Sequence, residues 1–383
     1  MAPLLHLLAI LVFVFAGQAQ TSRAGETHKA ETIASGVEHI EIQRGDFSSE
    51  QAAEKNKDRW TIHVLMIDPR RAKMKLAQAM DEIAGAETTS SMAARHKAIA
   101  AINGGYFRTT GIARGEPVGA LVIGGKLLSE PVKQRAALAV ADDGENLRLA
   151  ISRVDFKAEL RAGGKVAREI NGFNRPRENN ELIVFTPEFH RTTLTGPDGV
   201  EITVAGGRVA ALIDGAGSQV IPHDGLALSA SGAAREWALA NLRRGMRIEI
   251  KTEIAATPSI PFKPDFIIGA GPQLLASGKF VAQAEAANYS ESLMRLRHPR
   301  TAAGWREDGR LILVTVDGRQ PQKSVGMTIE ELANLMFEFG CHEAINLDGG
   351  GSTTMVINNK IVNSPSDQTG ERPVSDALLI YTR

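Results

Sequence analysis

Three apolar stretches of the sequence end in a polar residue that is followed by glycine. They lead into Asn103-Gly104-Gly105, Asp317-Gly318-Arg319 and Asp348-Gly349-Gly350-Gly351-Ser352. Glycine lets backbone N–H groups approach a ligand closely, and successive amides of this kind form concavities that suit anions. Because ligand clefts in sheet proteins lie at strand ends, several of these turns are expected to share one pocket. Asp348 and Asp317 are the carboxylates that such a pocket offers for chemistry.

The three glycines after Asp348 require a backbone explanation, since glycine in regular structure costs about 1 kcal/mol relative to alanine. Tight-turn chemistry alone explains Asp317-Gly318 well, but it explains a triple glycine poorly. No lysine follows the run as it does in a P-loop, and no acidic residue follows at the distance typical of dinucleotide binding. Ser352 lies in no Gly-x-Ser-x-Gly elbow and has no histidine nearby, which argues against a serine hydrolase.

Arginines beside prolines are candidates for binding an anion. Arg300 follows Pro299, Arg372 precedes Pro373, and Arg175 precedes Pro176. An arginine in a loop stiffened by proline is pre-organised for bidentate recognition of phosphate or carboxylate. A solvated surface arginine is the alternative, and it describes most arginines of the chain better. The position of these three beside or between strands leaves both explanations open.

The sequence offers few ligands for a metal ion. Its nine histidines include no His-x-x-x-His pair, which argues against a zinc site. Asp348 and Asn346 could hold Ca²⁺ through side-chain oxygens, but a third carboxylate close in sequence is missing. We therefore predict neither a metal nor a cofactor.

Strands, with a few helices, must position these residues. Five segments have the apolar runs typical of strands, namely residues 60–69, 98–102, 310–316, 344–347 and 377–381. The capping box from Thr328 to Glu331 predicts a helix that continues to about Phe339. Short alternating strands separated by glycine-rich turns predict a β-rich insertion at about 147–254. We thus predict an α+β domain over 58–383, a mixed, strand-rich sheet with helices packed on it, interrupted by this insertion.

The first residues have the pattern of a secretory signal. The apolar stretch 4–16 is followed by small residues, so cleavage is expected after Ala19, and residues 20–57 form a polar leader. The stretch is shorter than the about 20 residues that cross a bilayer comfortably, so no stable membrane span is expected once the signal is removed. An uncleaved anchor or a buried strand is the alternative. The prediction is a protein that is secreted or lies in the periplasm or cell envelope.

The overall charge argues against nucleic acid as a partner. The 44 basic side chains are balanced by 44 acidic ones, so no net positive field attracts a polyanion. Three Trp and three Tyr are too few for the long aromatic platforms that stack on bases.

Several motifs together resemble the phosphodiester glycosidase family. The resemblance covers roughly residues 60 to 383, and the segment from Asn346 to Thr354 is its most specific part. The other matching segments are Asn103-Gly104-Gly105-Tyr106-Phe107, Gly269-Ala270-Gly271-Pro272, Pro299-Arg300-Thr301-Ala302-Ala303-Gly304, Val316-Asp317-Gly318-Arg319, Thr328-Ile329-Glu330-Glu331-Leu332-Ala333 and Arg372-Pro373-Val374-Ser375. The insertion, with Asn174-Arg175-Pro176-Arg177, resembles that of the bacterial branch.

The resemblance implies a hydrolase that cleaves the glycosidic C–O bond of a sugar-1-phosphodiester and releases free sugar and a phosphomonoester. It implies Asp348 as base or nucleophile and Asp317 as the second carboxylate. The residues that would bind the phosphate or orient the substrate are Asn103, Gly104, Arg175, Arg300, Thr301, Asn346, Gly349, Gly350, Ser352 and Arg372. Glu331 also matches a family position, but its place in the capping box makes a structural role at least as good an explanation.

Two other functions remain open from the sequence. A phosphodiesterase could use the same anion site to break the P–O bond instead of the C–O bond. A non-catalytic binder of anionic exopolysaccharide is the second alternative, and it ranks lower because two carboxylates would repel such a ligand. In every case the partner is a small-molecule or glycan ligand.

Overall fold

The structure is a computed structural model that describes residues 25–47, 58–132, 134–164 and 166–383. The predicted signal segment 1–19 and part of the predicted leader 20–57 lie outside these residues. The described part of the leader forms a hairpin of two strands, Glu26–Ala34 and Val37–Arg44, whose second strand pairs with Trp60–Ile67. The leader thus contributes two strands to the largest sheet. Strands are numbered below in chain order.

The largest sheet, sheet 1, contains eight antiparallel strands. In spatial order they are β1 (Glu26–Ala34), β2 (Val37–Arg44), β3 (Trp60–Ile67), β21 (Leu311–Val316), β20 (Arg300–Arg306), β22 (Cys341–Asn346), β18 (Gln273–Ala276) and β19 (Lys279–Phe280). Strand β21 is buried along its whole length because both faces of the sheet are covered there. Its alternate side chains enter two different hydrophobic clusters, as the two-residue period of a strand requires. Asp317 and Asn346 therefore lie at or just beyond the ends of buried central strands.

The smaller sheet 4 brings distant parts of the chain together. Its five antiparallel strands, in spatial order, are β24 (Lys360–Ile361), β23 (Met355–Ile357), β5 (Ala100–Asn103), β25 (Asp376–Thr382) and β4 (Ala72–Gln78). Asn103 at the end of β5 is paired with Ala377 near the start of β25. This pairing places Asp376 beside the glycine turn that follows Asn103.

The remaining strands form two further sheets. Sheet 2 contains β10 (Val166–Glu169), β9 (Leu147–Ala162), β8 (Ala136–Asp142), β17 (Phe266–Gly269), β6 (Leu121–Ile123) and β7 (Lys126–Ser129), with β16 (Ile248–Thr257) also paired to β9. Sheet 3 contains β11 (Gly172–Phe173), β12 (Leu182–Phe185), β15 (Gly225–Ser231), β13 (Gly199–Ala205) and β14 (Arg208–Ala216). The stretch 147–254 is strand-rich, but β9 continues sheet 2 directly, so the limits of an inserted unit stay a prediction.

Helices are few and short among the described residues. They are α1 (Thr89–Arg95), α2 (Gly232–Asn241), α3 (Glu291–Arg295) and α4 (Ile329–Glu338), with 3-10 turns at Ala79–Asp81, Ala282–Asn288 and Gly350–Ser352. None of these helices is long and apolar enough to cross a membrane.

The predicted α+β class is wrong. Strands and bridges account for 47% of the described residues and helices for 13%, and the sheets are antiparallel except for the β11–β12 pair. Only α4 resembles the predicted arrangement, since its apolar side packs on sheet 1. The fold is mostly β because antiparallel strands are joined without crossover helices, so the four sheets bury their apolar faces largely on each other.

Candidate active site

Asn103 and Thr301 join sheet 4 to sheet 1 at the predicted pocket. Both side chains are fully buried. The Thr301 hydroxyl donates to Asn103 Oδ1 at 2.8 Å, and the Thr354 N–H donates to the same oxygen at 3.1 Å. The Asn103 amide donates to the Asp348 carbonyl at 2.7 Å. These contacts occupy the Asn103 side chain. Asn103 and Thr301 therefore hold the loop that contains Asp348 in place.

The glycines after Asp348 permit close contact between backbone segments. Gly350 has a φ of +63°, and a Cβ on Gly349 would lie 2.7 Å from the Pro299 carbonyl oxygen. The Gly349 N–H donates to the Asp348 carboxylate at 2.9 Å, and the Gly350 N–H donates to the Pro299 carbonyl at 2.9 Å. The two amides that we expected to face phosphate thus have acceptors within the protein. Their observed effect is to place Asp348 beside the Pro299-Arg300 segment.

Asp348 is the carboxylate at the centre of the site. The residue as a whole is partly exposed, while its carboxyl group is surrounded closely enough by protein atoms to be desolvated. The pKa of Asp348 is raised to about 6, chiefly by burial and also by the charge of Asp376, although the Ser352 hydroxyl, the Gly349 N–H and Arg372 act to lower it. A carboxylate with a pKa near neutrality that ligands can reach is suited to general base or nucleophilic chemistry.

Asp376 is a second acidic group of the site that the sequence did not reveal. It is buried, and its Oδ1 accepts the Gly105 N–H at 2.8 Å. A Cβ on Gly104 would lie 2.0 Å from the same oxygen, so only glycine fits there. Burial raises the pKa of Asp376 to about 6. The one available signal was a lone acidic residue at the head of an apolar strand, next to the Arg372–Ser375 motif.

The Asp317 carboxylate is hydrogen-bonded to the chain segment that contains Asn363 and Ser364. Its Oδ1 accepts from the Asn363 side chain at 3.1 Å and from the Ser364 N–H at 2.9 Å. Burial raises its pKa to about 6, and its main charged neighbours are Lys323 and Glu41. Those of Asp348 are Arg372 and Asp376. Asp376 is therefore the acidic neighbour that the structure gives Asp348.

Arg300 is a buried cation. It is 2% exposed, its Nε donates to the Met327 carbonyl at 2.7 Å, and its Nη2 donates to the carbonyls of Leu293 and Leu296 at 2.7 and 3.0 Å. Among the described residues no carboxylate lies within ion-pair distance. Burial lowers its pKa to about 10, which leaves it charged at neutral pH. A buried charge without a counter-charge is unfavourable, so this guanidinium favours the binding of an anion.

Tyr106 lies between the acidic and basic groups. Its hydroxyl donates to the Gly271 carbonyl and accepts from the Asn346 amide, both at 2.7 Å. Its pKa is raised chiefly by burial and then by Asp348, while Arg300 lowers it, so both charges lie near this ring. Asn346 Oδ1 is buried and makes no hydrogen bond in the described part of the chain.

The Ser352 hydroxyl is a second buried polar group of the site, besides Asn346 Oδ1, that lacks a hydrogen-bond partner among the described residues. Its hydroxyl lies near enough to lower the pKa of Asp348, but it makes no hydrogen bond of good geometry within the described residues. A buried group left unpaired costs about 1–3 kcal/mol. Asn346 and Ser352 are therefore suitable for contact with a ligand.

Two predicted anion-binding arginines have carboxylate partners. Arg372 makes a bidentate pair with Asp367 at 2.7 and 3.0 Å, and its guanidinium lies against Gly351. Arg175 pairs with Glu181 in the strand-rich region 147–254 and with Glu130, which directly follows β7. Arg372 contributes charge near Asp348, whereas the contacts of Arg175 are those of a structural ion pair.

Glu331 has the contacts of a helix cap. The Glu331 carboxylate accepts a hydrogen bond from the Thr328 N–H at 2.9 Å. In return, the Glu331 N–H donates to the Thr328 hydroxyl at 3.1 Å. Its carboxylate also pairs with Arg297, whose Nε lies 3.1 and 3.2 Å from its two oxygens. These contacts favour the structural explanation for Glu331.

The variant Glu331→Ala is therefore expected to lose stability and keep activity. Loss of the capping box should lower the free energy of unfolding by about 1 kcal/mol, measured by urea denaturation. Glu330→Ala, an exposed residue in the same helical turn, is the matched control and should leave stability nearly unchanged. A tenfold fall in kcat/KM for a folded Glu331→Ala protein would contradict the structural role.

The described residues contain no cluster of side chains suited to binding a metal ion. No group of three His, Cys, Asp or Glu side chains there could hold an ion. The predicted lack of a metal and a cofactor stays a prediction.

Comparison with known proteins finds a family match in the C-terminal part of the chain. Residues 198–381 match the family model for phosphodiester glycosidase. An uncharacterized SPbeta prophage-derived protein of Bacillus subtilis is 42% identical over 87 residues, 23% of this chain and 13% of that protein. The N-acetylglucosamine-1-phosphodiester alpha-N-acetylglucosaminidase of Bos taurus is 43% identical over 68 residues, 18% of this chain and 12% of that enzyme. The matched segments thus span only a small part of these relatives.

The whole fold has a counterpart among solved structures. A Burkholderia pseudomallei protein described as a "putative exported protein" superimposes with a TM-score of 0.79 at 25% identity, covering 93% of this chain and 96% of that one. A hypothetical protein from Synechocystis has a TM-score of 0.75 at 22% identity, covering 93% of this chain and 64% of that one. The C-terminal part of the chain, residues 198–381, is thus similar to the phosphodiester glycosidase family, and it contains the glycine-rich loop that follows Asp348.

Proposed function

We propose that this protein is an exported hydrolase that cleaves the glycosidic C–O bond of a sugar-1-phosphodiester. The observation that carries the proposal is the arrangement around Tyr106. A reachable carboxylate, Asp348, and a buried guanidinium without a carboxylate partner, Arg300, both lie near this ring. Glycosidic cleavage needs a carboxylate at the anomeric carbon and stabilisation of the departing group.

The departing phosphate determines how these groups would act. Arg300 would hold the phosphate and stabilise the charge that develops as the C–O bond breaks, which replaces a general acid. Asp348 would then attack the anomeric carbon or activate a water molecule, depending on whether configuration is retained or inverted. Asn346 and Ser352 would orient the sugar, and Asn103 and Thr301 would hold the loop of Asp348.

Oxygen-18 labelling tests the bond that is cleaved. A panel of sugar-1-phosphodiesters is incubated with the protein in ¹⁸O-water, and the products are analysed by mass spectrometry. Label in the sugar supports C–O cleavage, whereas label in the phosphomonoester would establish the phosphodiesterase alternative. Binding of the whole panel without turnover would favour the non-catalytic binder.

Protein sequencing after export from cells tests the predicted cleavage after Ala19.

Asp376 should contribute to the pH dependence of the reaction. If ionised Asp348 is the reactive form, kcat/KM rises with pH through about 6, because burial and the Asp376 charge hold its pKa there. The variant Asp376→Asn removes that charge, so the acidic limb of the profile should move to lower pH. The measurement is kcat/KM from pH 4 to 8 for both proteins. An unchanged limb would show that Asp376 does not act on Asp348.

A further inference from the structure

Arg319 occupies an unusual backbone position next to the candidate site. It follows Asp317-Gly318 at the end of β21 and has a φ of +59°. This left-handed conformation is unfavourable for residues other than glycine, and it persists in proteins mainly where the surrounding structure enforces it, often at functional sites. Here it brings the guanidinium against Gly350, where an added Cβ would lie 3.0 Å from Nη2.

Arg319 is exposed, and it has no carboxylate partner among the described residues. Its Nη2 donates to Nδ1 of His298 at 3.1 Å. Nε2 of the same histidine donates a hydrogen bond to the Ser292 carbonyl at 3.2 Å. Burial lowers the pKa of His298, and Arg300 and Arg319 lower it further, so the imidazole is neutral at pH 7. The histidine thus orients Arg319 without adding a charge.

Arg319 and Arg300 are brought together through Gly350. The Arg319 guanidinium lies against Gly350, and the Gly350 N–H donates at 2.9 Å to the carbonyl of Pro299, the residue directly before Arg300. Arg319 lowers the pKa of Arg300, as expected for a second positive charge nearby. Glu331 is the carboxylate that raises the pKa of Arg300, and it is already paired with Arg297. Two like charges held together in this way favour binding of a group that carries more than one negative charge.

We propose that Arg319 and Arg300 form a two-arginine clamp that binds phosphomonoesters more tightly than phosphodiesters, so that the released phosphomonoester inhibits the enzyme. The proposal rests on the proposed function for its link to the reaction. A phosphodiester carries one negative charge, whereas a phosphomonoester carries about 1.5 to 2 at neutral pH. The exposed, planar guanidinium of Arg319 suits bidentate contact with phosphate oxygens. Arg300, whose Nε and Nη2 donate to backbone carbonyls, adds its positive charge, so the additional negative charge strengthens the interaction with both arginines.

Calorimetric titration of the full chain at pH 7.5 tests the clamp with three probes: inorganic phosphate, glycerol phosphate and diethyl phosphate. The native protein should bind the first two about tenfold or more tightly than diethyl phosphate. In Arg319→Gly their Kd should rise about 10- to 100-fold, the usual effect of losing one charged hydrogen-bonding group. Arg319→Lys should fall between, because it keeps the charge but loses the planar fork.

Glycine at position 319 separates binding from folding. It adopts the left-handed conformation without strain, so Arg319→Gly should unfold at a temperature no lower than the native protein. Arg310→Ala is the matched control: Arg310 is exposed, pairs with Asp308 at 3.2 Å and precedes the opposite end of β21, so its replacement should leave phosphate binding unchanged.

The proposal is overturned if folded Arg319→Gly binds inorganic phosphate as tightly as the native protein. It is also overturned if the native protein binds diethyl phosphate and inorganic phosphate equally. Neither result depends on turnover. A protein that hydrolyses no sugar-1-phosphodiester but binds phosphate through Arg319 would refute the proposed function and support the clamp. Active protein without Arg319-dependent binding would do the reverse.

Discussion

The variant Asp348→Asn is expected to lose hydrolysis of sugar-1-phosphodiesters while its fold stays intact. An amide neither attacks the anomeric carbon nor accepts a proton from water, so kcat/KM should fall by about 10²- to 10⁴-fold, the range for a general acid–base group. Initial rates with the best substrate of the panel provide the measurement. Asp308→Asn makes the same chemical change at an exposed residue and should keep full activity.

The stability of this variant gives an independent check. The pKa of Asp348 is raised from 3.8 to about 6 in the folded protein. A group with a raised folded-state pKa contributes stability at low pH and loses it as the pH rises through the folded value. At pH 7 the carboxylate therefore opposes folding, and Asp348→Asn should unfold at the same or a higher temperature. Full activity in a folded Asp348→Asn protein would rule out the proposed mechanism.

The second large effect is expected at Arg300. Arg300→Lys keeps the positive charge but loses the fork that contacts three backbone carbonyls and orients the remaining N–H groups. We expect kcat/KM to fall by about 100-fold or more, comparable to the loss of one group that stabilises charge in a transition state. The melting temperature should also fall, since buried carbonyls lose donors.

Assays must therefore be run well below the melting temperature of Arg300→Lys. Arg310→Lys makes the same replacement at an exposed arginine paired with Asp308, and it should change neither property measurably. If Arg300→Lys retains native kcat/KM, the phosphate is held elsewhere. The loss of binding in Arg319→Gly would then locate it closer to Gly350.

Site residues whose role follows from local chemistry could be predicted. The triple glycine after Asp348 has no explanation in regular secondary structure, and the structure shows the close backbone contact that requires it. Arg300 could be selected because proline precedes it at the start of an apolar strand. Glu331 could be recognised as a cap because the capping box is encoded within four residues, and its bonds are present in the structure.

Other features depend on pairing between distant strands. Asp376 became the acidic neighbour of Asp348 only because β25 pairs with β5, which brings Asp376 to the amide of Gly105. Asp317 ends its strand with the same signal as Asp348, yet its carboxylate is occupied by Asn363 and Ser364. A strand-end signal does not specify which neighbour the side chain will meet.

The prediction of the fold class was wrong for a related reason. The C-terminal half contains a helix with a strong cap between two apolar strands, a pattern that also occurs when helices cover a sheet. The flanking strands β21 and β22 are both paired with β20, and all these pairings are antiparallel. Such pairing arises from the burial of whole faces, which no local window of sequence records.

The amino-acid sequence by itself determined the local properties of this protein: where glycine was obligatory, where a helix had to begin and which polar residues followed buried strands. These properties depend on backbone conformation and on residues a few positions apart. The tertiary structure alone decided which charges meet. Asp348 lies near Asp376, Arg300 interacts with Arg319 and Asp317 is occupied elsewhere, because hydrogen bonding and burial across the sheets join segments that are far apart in the chain.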